Sequence, residues 1–224
     1  MAVHPMQTGS SWSRERLLAA LRLYLVTDQA SLVGRPLTDV VLQAVQGGVG
    51  CVQLREKQLS SRDFLAQALV LMEVLRPFGV PLVINDRIDI ALACGAQGVH
   101  LGQSDLPVDR VRALLRPEVF IGWSVETLVQ VAQSAALPVD YLGVSPVFAT
   151  PTKTDTARPW GLEGLQRVRA TTTLPLVAIG GVHAGNAAAV RAAGADSLAV
   201  VSAICSAPDP RASAQELRNL IDAH

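Results

Sequence analysis

The stretch CGAQGVHL (residues 94–101) has two counterparts in the same chain, GGVGCVQL (47–54) and AGADSLAV (193–200). Each carries glycine at its second position, where a helix-like segment must end, because a helix commonly closes on a left-handed residue that glycine adopts without steric cost. Each then runs into a short apolar strand. Three copies of one helix-to-strand joint in a 224-residue chain imply a repeated βα unit.

Working outward, the pattern extends to eight strand candidates: 21–28, 49–56, 81–86, 98–103, 119–125, 140–148, 175–182 and 197–204. Helical segments follow at 37–47, 60–76, 87–95, 107–115, 125–136, 161–171, 184–193 and 209–222. Ser60 or Ser61 can cap the second of these, since a hydroxyl oxygen accepts a free first-turn N–H. Pro107 and Pro208 stand at helix entries, where a missing N–H costs nothing. Eight units predict an α/β fold, a single (β/α)8 TIM barrel. Near-continuous apolar strands agree, because parallel strands are covered on both faces. The competing architecture is an open doubly wound sheet, but no GxGxxG follows the first strand. Residues 1–12 read as a flexible N-terminal tail and 13–22 as a short extension helix. The barrel domain is expected to span 13–224.

Half of the residues are hydrophobic, 17% are charged and the net charge is zero. That balance excludes a broad electrostatic footprint for nucleic acid or membrane. The apolar runs fall short of the ~18–20 residues that span a bilayer, and no secretory signal precedes the helix. Cys51, Cys94 and Cys205 lack metal-ligand spacing and read as buried thiols of a cytoplasmic protein. The composition permits a homo-oligomer without requiring one.

In a barrel the working residues sit at the C-terminal strand ends. Strand two ends Gln53-Leu54-Arg55-Glu56-Lys57. Alternation puts Gln53, Arg55 and Lys57 on one face and Leu54 toward the helices. Two cations after an apolar strand suit an anion. Strand three ends Asn85-Asp86, and Asp105 follows strand four. Either aspartate alone reads as a helix cap, but together, beside two cations, they suit Mg²⁺, which takes one or two carboxylates and completes its shell with water and phosphate oxygens. Ser124 either caps the next helix or meets a ligand, and Trp123 is core or pocket wall. Asp89 reads as solvated. His100 reads as a hydrogen-bonded interior histidine rather than a base. The glycines of AIGGV (178–182) and the backbone of VVSAI (200–204) read either as two tight turns or as a phosphate cup, such as loops seven and eight of barrels often form. The loop ATPTK (149–153) offers two hydroxyls and a lysine to an anion.

The set LYLVTD (23–28), QLREK (53–57), IND (84–86), VHLGQSDLP (99–107), GWS (122–124), YLGVSPVFATPTK (141–153), AIGGV and VVSAI resembles the thiamine phosphate synthase family, in order and over nearly the whole chain. The resemblance implies a (β/α)8 barrel that joins 4-amino-5-hydroxymethyl-2-methylpyrimidine diphosphate to 4-methyl-5-(2-hydroxyethyl)thiazole phosphate, using Mg²⁺ and releasing pyrophosphate. It implies that Arg55, Lys57, Asn85 and Lys153 contact diphosphate, with Gln53 and Ser124 at the pyrimidine. It further implies Asp86 and Asp105 as Mg²⁺ ligands. Thr150, Thr152, Gly181, Val201 and Ser202 fall to the thiazole phosphate. Arg55, Lys57, Lys153 and Ser124 are the residues expected to carry catalysis. The segment 154–160 is bulkier than the family pattern, and Cys205 replaces a smaller residue. Two other readings stand beside this one, a thiazole tautomerase of the same superfamily and a non-catalytic barrel that binds thiamine precursors.

Overall fold

The structure, a computed structural model, describes residues 11–150 and 158–223. Its eight strands are β1 (Leu23–Val26), β2 (Cys51–Leu54), β3 (Leu82–Asn85), β4 (Gly98–Leu101), β5 (Phe120–Val125), β6 (Tyr141–Val144), β7 (Leu176–Ala178) and β8 (Ser197–Val200). They pair in parallel in sequence order, and β1 also pairs with β8, so the barrel closes. The open doubly wound alternative is thereby excluded.

Period-two alternation sorts the side chains. Leu23, Leu25, Val52, Leu54, Leu82, Ile84, Val99, Ile121 and Leu142 face outward into one cluster with the helices. Tyr24, Val26, Cys51, Val83, Phe120, Tyr141, Val177 and Ala199 face inward. Fully burying one such aliphatic side chain contributes about 1.5–3 kcal/mol. Trp123 belongs to the outer cluster, so it is core rather than pocket wall.

Among the described residues the helices are α1 (Arg14–Leu21), α2 (Leu37–Gln46), α3 (Ser61–Leu75), α4 (Ile88–Cys94), α5 (Val108–Leu114), α6 (Leu128–Gln133), α7 (Gly161–Thr171), α8 (Ala184–Ala192), α9 (Ser202–Cys205) and α10 (Pro210–Asp222). None is long and apolar enough to cross a membrane. At the three repeated joints Gly48, Gly95 and Gly194 have φ of 106°, 72° and 106°, as the repeat predicts. Gly47 is present for a different reason: its φ is ordinary, but a Cβ would lie 2.3 Å from the Arg211 carbonyl oxygen. Ser60 caps α3 through the Asp63 N–H, and Asp209, with Pro210 after it, starts α10 instead of Pro208.

α1 closes the N-terminal end of the barrel. Ser13 caps it, and Leu17 and Leu21 join the inner cluster. Ser11 and Trp12, at the end of the expected tail, are seated against the approach to β5: Trp12 Nε1 donates to the Glu118 carbonyl at 2.9 Å, and its ring meets Phe120 edge-on. Among the described residues α1 thus covers that end of the barrel interior, and the interior opens at the C-terminal strand ends.

Two strand ends depart from the sequence reading. The segment 197–204 is strand only to Val200, and Ser202 opens α9, so the turn of helix lies over the barrel mouth. The segment 125–136 does not take its cap from Ser124. Thr127 and Gln130 form a reciprocal capping box there, which leaves Ser124 within β5. Capping is a contest between nearby oxygens, and the Thr-x-x-Gln spacing wins it by satisfying two N–H groups at once.

Candidate active site

The C-terminal mouth holds two adjoining cavities. The first, about 310 Å³, lies over the barrel interior. Gln53, Arg55, Lys57, Asn85, Asp86, Asp105 and Ser124, all singled out in the sequence, line it together. The second, about 90 Å³, is lined by Thr150, Gly181, Val201 and Ser202, and by Asp28 and Gly180. Arg55 and Ser145 line both. Lys153 and Thr152 lie outside the described residues, as does most of the 154–160 segment.

The floor of the larger cavity is polar, largely buried, and built without carboxylate, lysine or arginine. Gln53 Nε2 donates to Tyr24 Oη at 2.9 Å. Tyr24 Oη and Tyr141 Oη are 3.0 Å apart. His100 Nδ1 is 2.9 Å from Tyr141 Oη, and its Nε2 is 2.8 Å from Ser124 Oγ. Burial, before any other cause, pushes both phenols well above their ordinary range, so each keeps its proton. The Cys51 thiol beside them is also pushed up by burial.

Three in-strand glycines make room for this layer. A Cβ on Gly122 would lie 2.0 Å from Tyr141 Cζ, one on Gly143 would lie 2.9 Å from His100 Cε1, and one on Gly98 would lie 2.4 Å from the Phe120 ring. Glycine within a strand often marks such a close approach. That is the signal by which the floor could have been found in the sequence, along with the fact that the chain has only two tyrosines and both are here.

The rim is charged. Lys57 Nζ is 2.5 Å from Asp86 Oδ2, and Arg55 Nη1 is 3.8 Å from Asp28 Oδ1. Thr27 Oγ1 accepts from the Arg55 backbone N–H at 3.1 Å, which ties β1 to the end of β2. Asp86 has φ 61°, a left-handed conformation uncommon outside glycine and asparagine-like residues. It is held there by its own N–H donating to the His100 carbonyl at 2.9 Å. Backbone strain of this kind collects where a side chain must be aimed. Neither aspartate caps a helix: α4 starts from Arg87 and α5 from Pro107, without side-chain caps. Asp89 is not merely solvated, because the Arg87 guanidinium grips it and holds its carboxyl below the usual range.

Asp105 Oδ2 accepts from Gly102 N–H at 2.6 Å. Its carboxyl is raised above the ordinary range, first by burial and further by neighbouring Asp86, and the Gly102 N–H and, less, Lys57 offset only part of this. Among the described residues no group of three or more His, Cys, Asp or Glu surrounds a metal position. The donor set is two desolvated carboxylates that repel each other. That fits a hard divalent cation which takes its remaining ligands from water and phosphate.

The smaller cavity is shaped by backbone. Gly180 and Gly181 have φ of 98° and 65°, and a Cβ on either would lie under 3 Å from the β6 loop, against Pro146 and Phe148 respectively. Val147 and Phe148 N–H groups donate to the Ile179 and Gly180 carbonyls at 2.9 and 3.0 Å. These bonds hold the loop carrying Thr150 beside Gly181 and Ser202. Sequence reasoning missed Asp28, Ser145, Gln103 and Glu126 as lining residues. Their chain positions look like ordinary loop polarity.

A family model described as thiamine monophosphate synthase matches residues 23–204. The chain is 71% identical over 218 residues to a thiamine-phosphate synthase of Albidiferax ferrireducens, covering 97% of this chain and all of that one. It is 49% identical over 203 residues to a thiamine-phosphate synthase of Vibrio parahaemolyticus, with 91% and 99% covered. Among solved structures, a thiamine phosphate pyrophosphorylase from Pyrococcus furiosus superposes with a TM-score of 0.85 at 34% identity, covering 92% of this chain and 98% of that one.

Proposed function

Since the chain belongs to the thiamine monophosphate synthase family and is a transferase of thiamine biosynthesis, we propose that it couples 4-amino-5-hydroxymethyl-2-methylpyrimidine diphosphate with 4-methyl-5-(2-hydroxyethyl)thiazole phosphate, releasing pyrophosphate. The observation that carries the assignment of substrates is the pair of adjoining cavities that share Arg55 and Ser145. One has an uncharged floor under a cationic rim, suited to a neutral ring bearing a diphosphate. The other is a backbone cup, suited to a monophosphate.

Gln53 and Ser124 hold the pyrimidine. Arg55, Lys57, Asn85 and Lys153 hold the diphosphate. Thr150, Thr152, Gly181 and the Val201-Ser202 backbone hold the thiazole phosphate. Asp86 and Asp105 would hold Mg²⁺, which when bound supplies positive charge to the leaving diphosphate.

The amino group of the pyrimidine donates electrons toward the exocyclic carbon as its C–O bond breaks, and the pair leaves with pyrophosphate. Arg55, Lys57 and Lys153 stabilise the charge that grows on the departing oxygens. The thiazole nitrogen lone pair then closes the C–N bond. That nitrogen has no proton to lose, so no general base is needed. Holding both substrates with reacting atoms adjacent supplies several kcal/mol of the barrier. Three free cysteines suit a cytoplasmic location.

The test is to incubate both substrates with Mg²⁺ and measure thiamine phosphate and pyrophosphate. Equimolar formation of both is the expected result. Isomerisation of a thiazole carboxylate phosphate without pyrophosphate release would instead identify a tautomerase, and binding without turnover a precursor-binding barrel.

A further inference from the structure

The five residues on the cavity floor come from five different strands: Gln53 on β2, Tyr24 on β1, Tyr141 on β6, His100 on β4 and Ser124 on β5. Four hydrogen bonds of 2.8–3.0 Å join them end to end. Only the two ends are assigned to substrate in the function proposed above. Resting on that reading, we propose that Tyr24, Tyr141 and His100 are positioning residues whose bond order fixes the Ser124 hydroxyl as a hydrogen-bond donor toward the cavity. The ligand selected is a heteroaromatic ring that presents a nitrogen lone pair.

The direction follows from counting protons. An amide nitrogen can only donate, so Tyr24 Oη accepts from Gln53 Nε2. Tyr24 must then place its own proton. Its neighbours are Tyr141 Oη and the Cys51 thiol, and sulfur is a weak acceptor. The proton goes to Tyr141, because an unmet donor in a buried floor pays its full desolvation cost. Tyr141 in turn donates to His100 Nδ1. The imidazole proton therefore sits on Nε2 and is given to Ser124 Oγ. Ser124 is left with its own O–H to offer upward. Burial helps, since both phenols keep their protons throughout the working range.

The arrangement also keeps the imidazole one bond away from the ligand. A hydroxyl orients a ring nitrogen without protonating it. An imidazolium in the same place could transfer its proton and withdraw the electrons that must flow toward the breaking C–O bond. The relay thus gives orientation while preserving the ring's electron supply. A ring presenting N–H at this position would leave the Ser124 O–H without an acceptor, which a desolvated site disfavours.

With a neutral imidazole only one other closed polarity exists. A half-turn of the Gln53 amide would reverse every link, put the imidazole proton on Nδ1 and make Ser124 an acceptor. The two polarities are told apart in the substrate-free protein by two-bond ¹H–¹⁵N correlation of the histidine rings, with His100 assigned by loss of its signals in His100→Gln. The Nε2–H pattern is expected, and the Nδ1–H pattern overturns the proposal.

The functional arm uses Tyr141→Phe, which removes one hydroxyl and keeps the ring. Its kcat/KM for the pyrimidine diphosphate is expected to fall about tenfold or more, as loss of a buried hydrogen bond predicts. KM for the thiazole phosphate should stay within about twofold, because a positioning loss at one subsite does not reach the other. No loss, or an equal loss for both substrates, overturns the positioning role. Failure of the unaltered protein to make thiamine phosphate would overturn the function itself. The tautomer is read without substrate, so the two failures are distinguishable.

Discussion

Gly122→Ala tests the packing of the cavity floor. The added Cβ would lie 2.0 Å from Tyr141 Cζ and 2.3 Å from Tyr141 Oη, where ordinary contact begins near 3.4 Å. The ring would have to retreat by about 1.4 Å. It is fully buried against Tyr24, His100 and Phe120, so retreat strains the whole layer. Overpacking of a close-packed core costs about 1–3 kcal/mol. Moving the ring also breaks the bonds from Tyr141 Oη to Tyr24 and His100, at about 1 kcal/mol each. The total, about 3–5 kcal/mol, is a large part of the ~5–15 kcal/mol typical of a whole domain. For a chain of this size it corresponds to a fall in Tm of roughly 6–20 °C. Thermal unfolding followed by far-ultraviolet circular dichroism is the assay. Combining Gly122→Ala with Tyr141→Leu should recover about 1–3 kcal/mol relative to the sum of the single effects, because the smaller side chain vacates the clashing volume. A fall below about 2 °C in the single variant, or strict additivity in the double, refutes the reasoning: the ring would then have space that the floor as described does not contain.

Three further outcomes are expected. Gly181→Ala, with φ 65° and a Cβ position 2.8 Å from Phe148 Cβ, distorts the smaller cavity and raises KM for the thiazole phosphate about tenfold or more, with little change for the diphosphate substrate. Lys153→Ala lowers kcat by about 10²-fold, as removal of one charge-stabilising donor does, and turnover within a few-fold of the unaltered enzyme removes Lys153 from the mechanism. Asp105 holds its proton more tightly folded than unfolded, so it favours the folded state below the ordinary aspartate range of ~3.9 and loses that contribution as pH rises through its raised value. At pH 7 in EDTA, Asp105→Asn therefore raises Tm, the gain vanishes near pH 3, and the Mg²⁺ needed for half-maximal activity increases; an unchanged metal titration sinks the ligand assignment.

Much of the fold was legible because the βα repeat writes its joints in glycine. Gly48, Gly95 and Gly194 needed only a local conformational argument, and the strand register followed from alternation. The rim was legible from alternation too: Arg55 and Lys57 extend β2 in step with Gln53, so period two alone aims them at the mouth. The floor was not. Tyr24 and Tyr141 are 117 positions apart and become neighbours only when the barrel closes. No local pattern distinguishes an inward tyrosine that bonds another from one that packs on a helix. Ser124 stayed open between cap and ligand contact because a serine before a helix is an ordinary cap, and it is the Thr127–Gln130 box that takes the cap. Ser202 was assigned to a strand because VVSAI is apolar, and apolarity does not separate a strand end from a buried helical turn.

The split between an uncharged floor and a charged rim has a consequence for how a substrate can enter. Burying an unpaired charge is far costlier than burying a hydrogen-bonded neutral group. The floor offers amide, phenol, imidazole and hydroxyl, and no formal charge partner for an anion. Arg55 and Lys57 stand above it, with the Lys57 side chain about half exposed. A ring bearing a diphosphate therefore has one favourable orientation, ring down and diphosphate up. That orientation brings the phosphates to Asp86 and Asp105 only when a cation lies between, since the two carboxylates repel them otherwise. On the proposed function, the carbon that bears the leaving group would then lie toward Arg55 and Ser145, which line both cavities. On the proposed function, each charge would gain a partner only when both substrates and the metal are bound. This is how a chain of zero net charge can concentrate enough positive potential to support departure of a diphosphate.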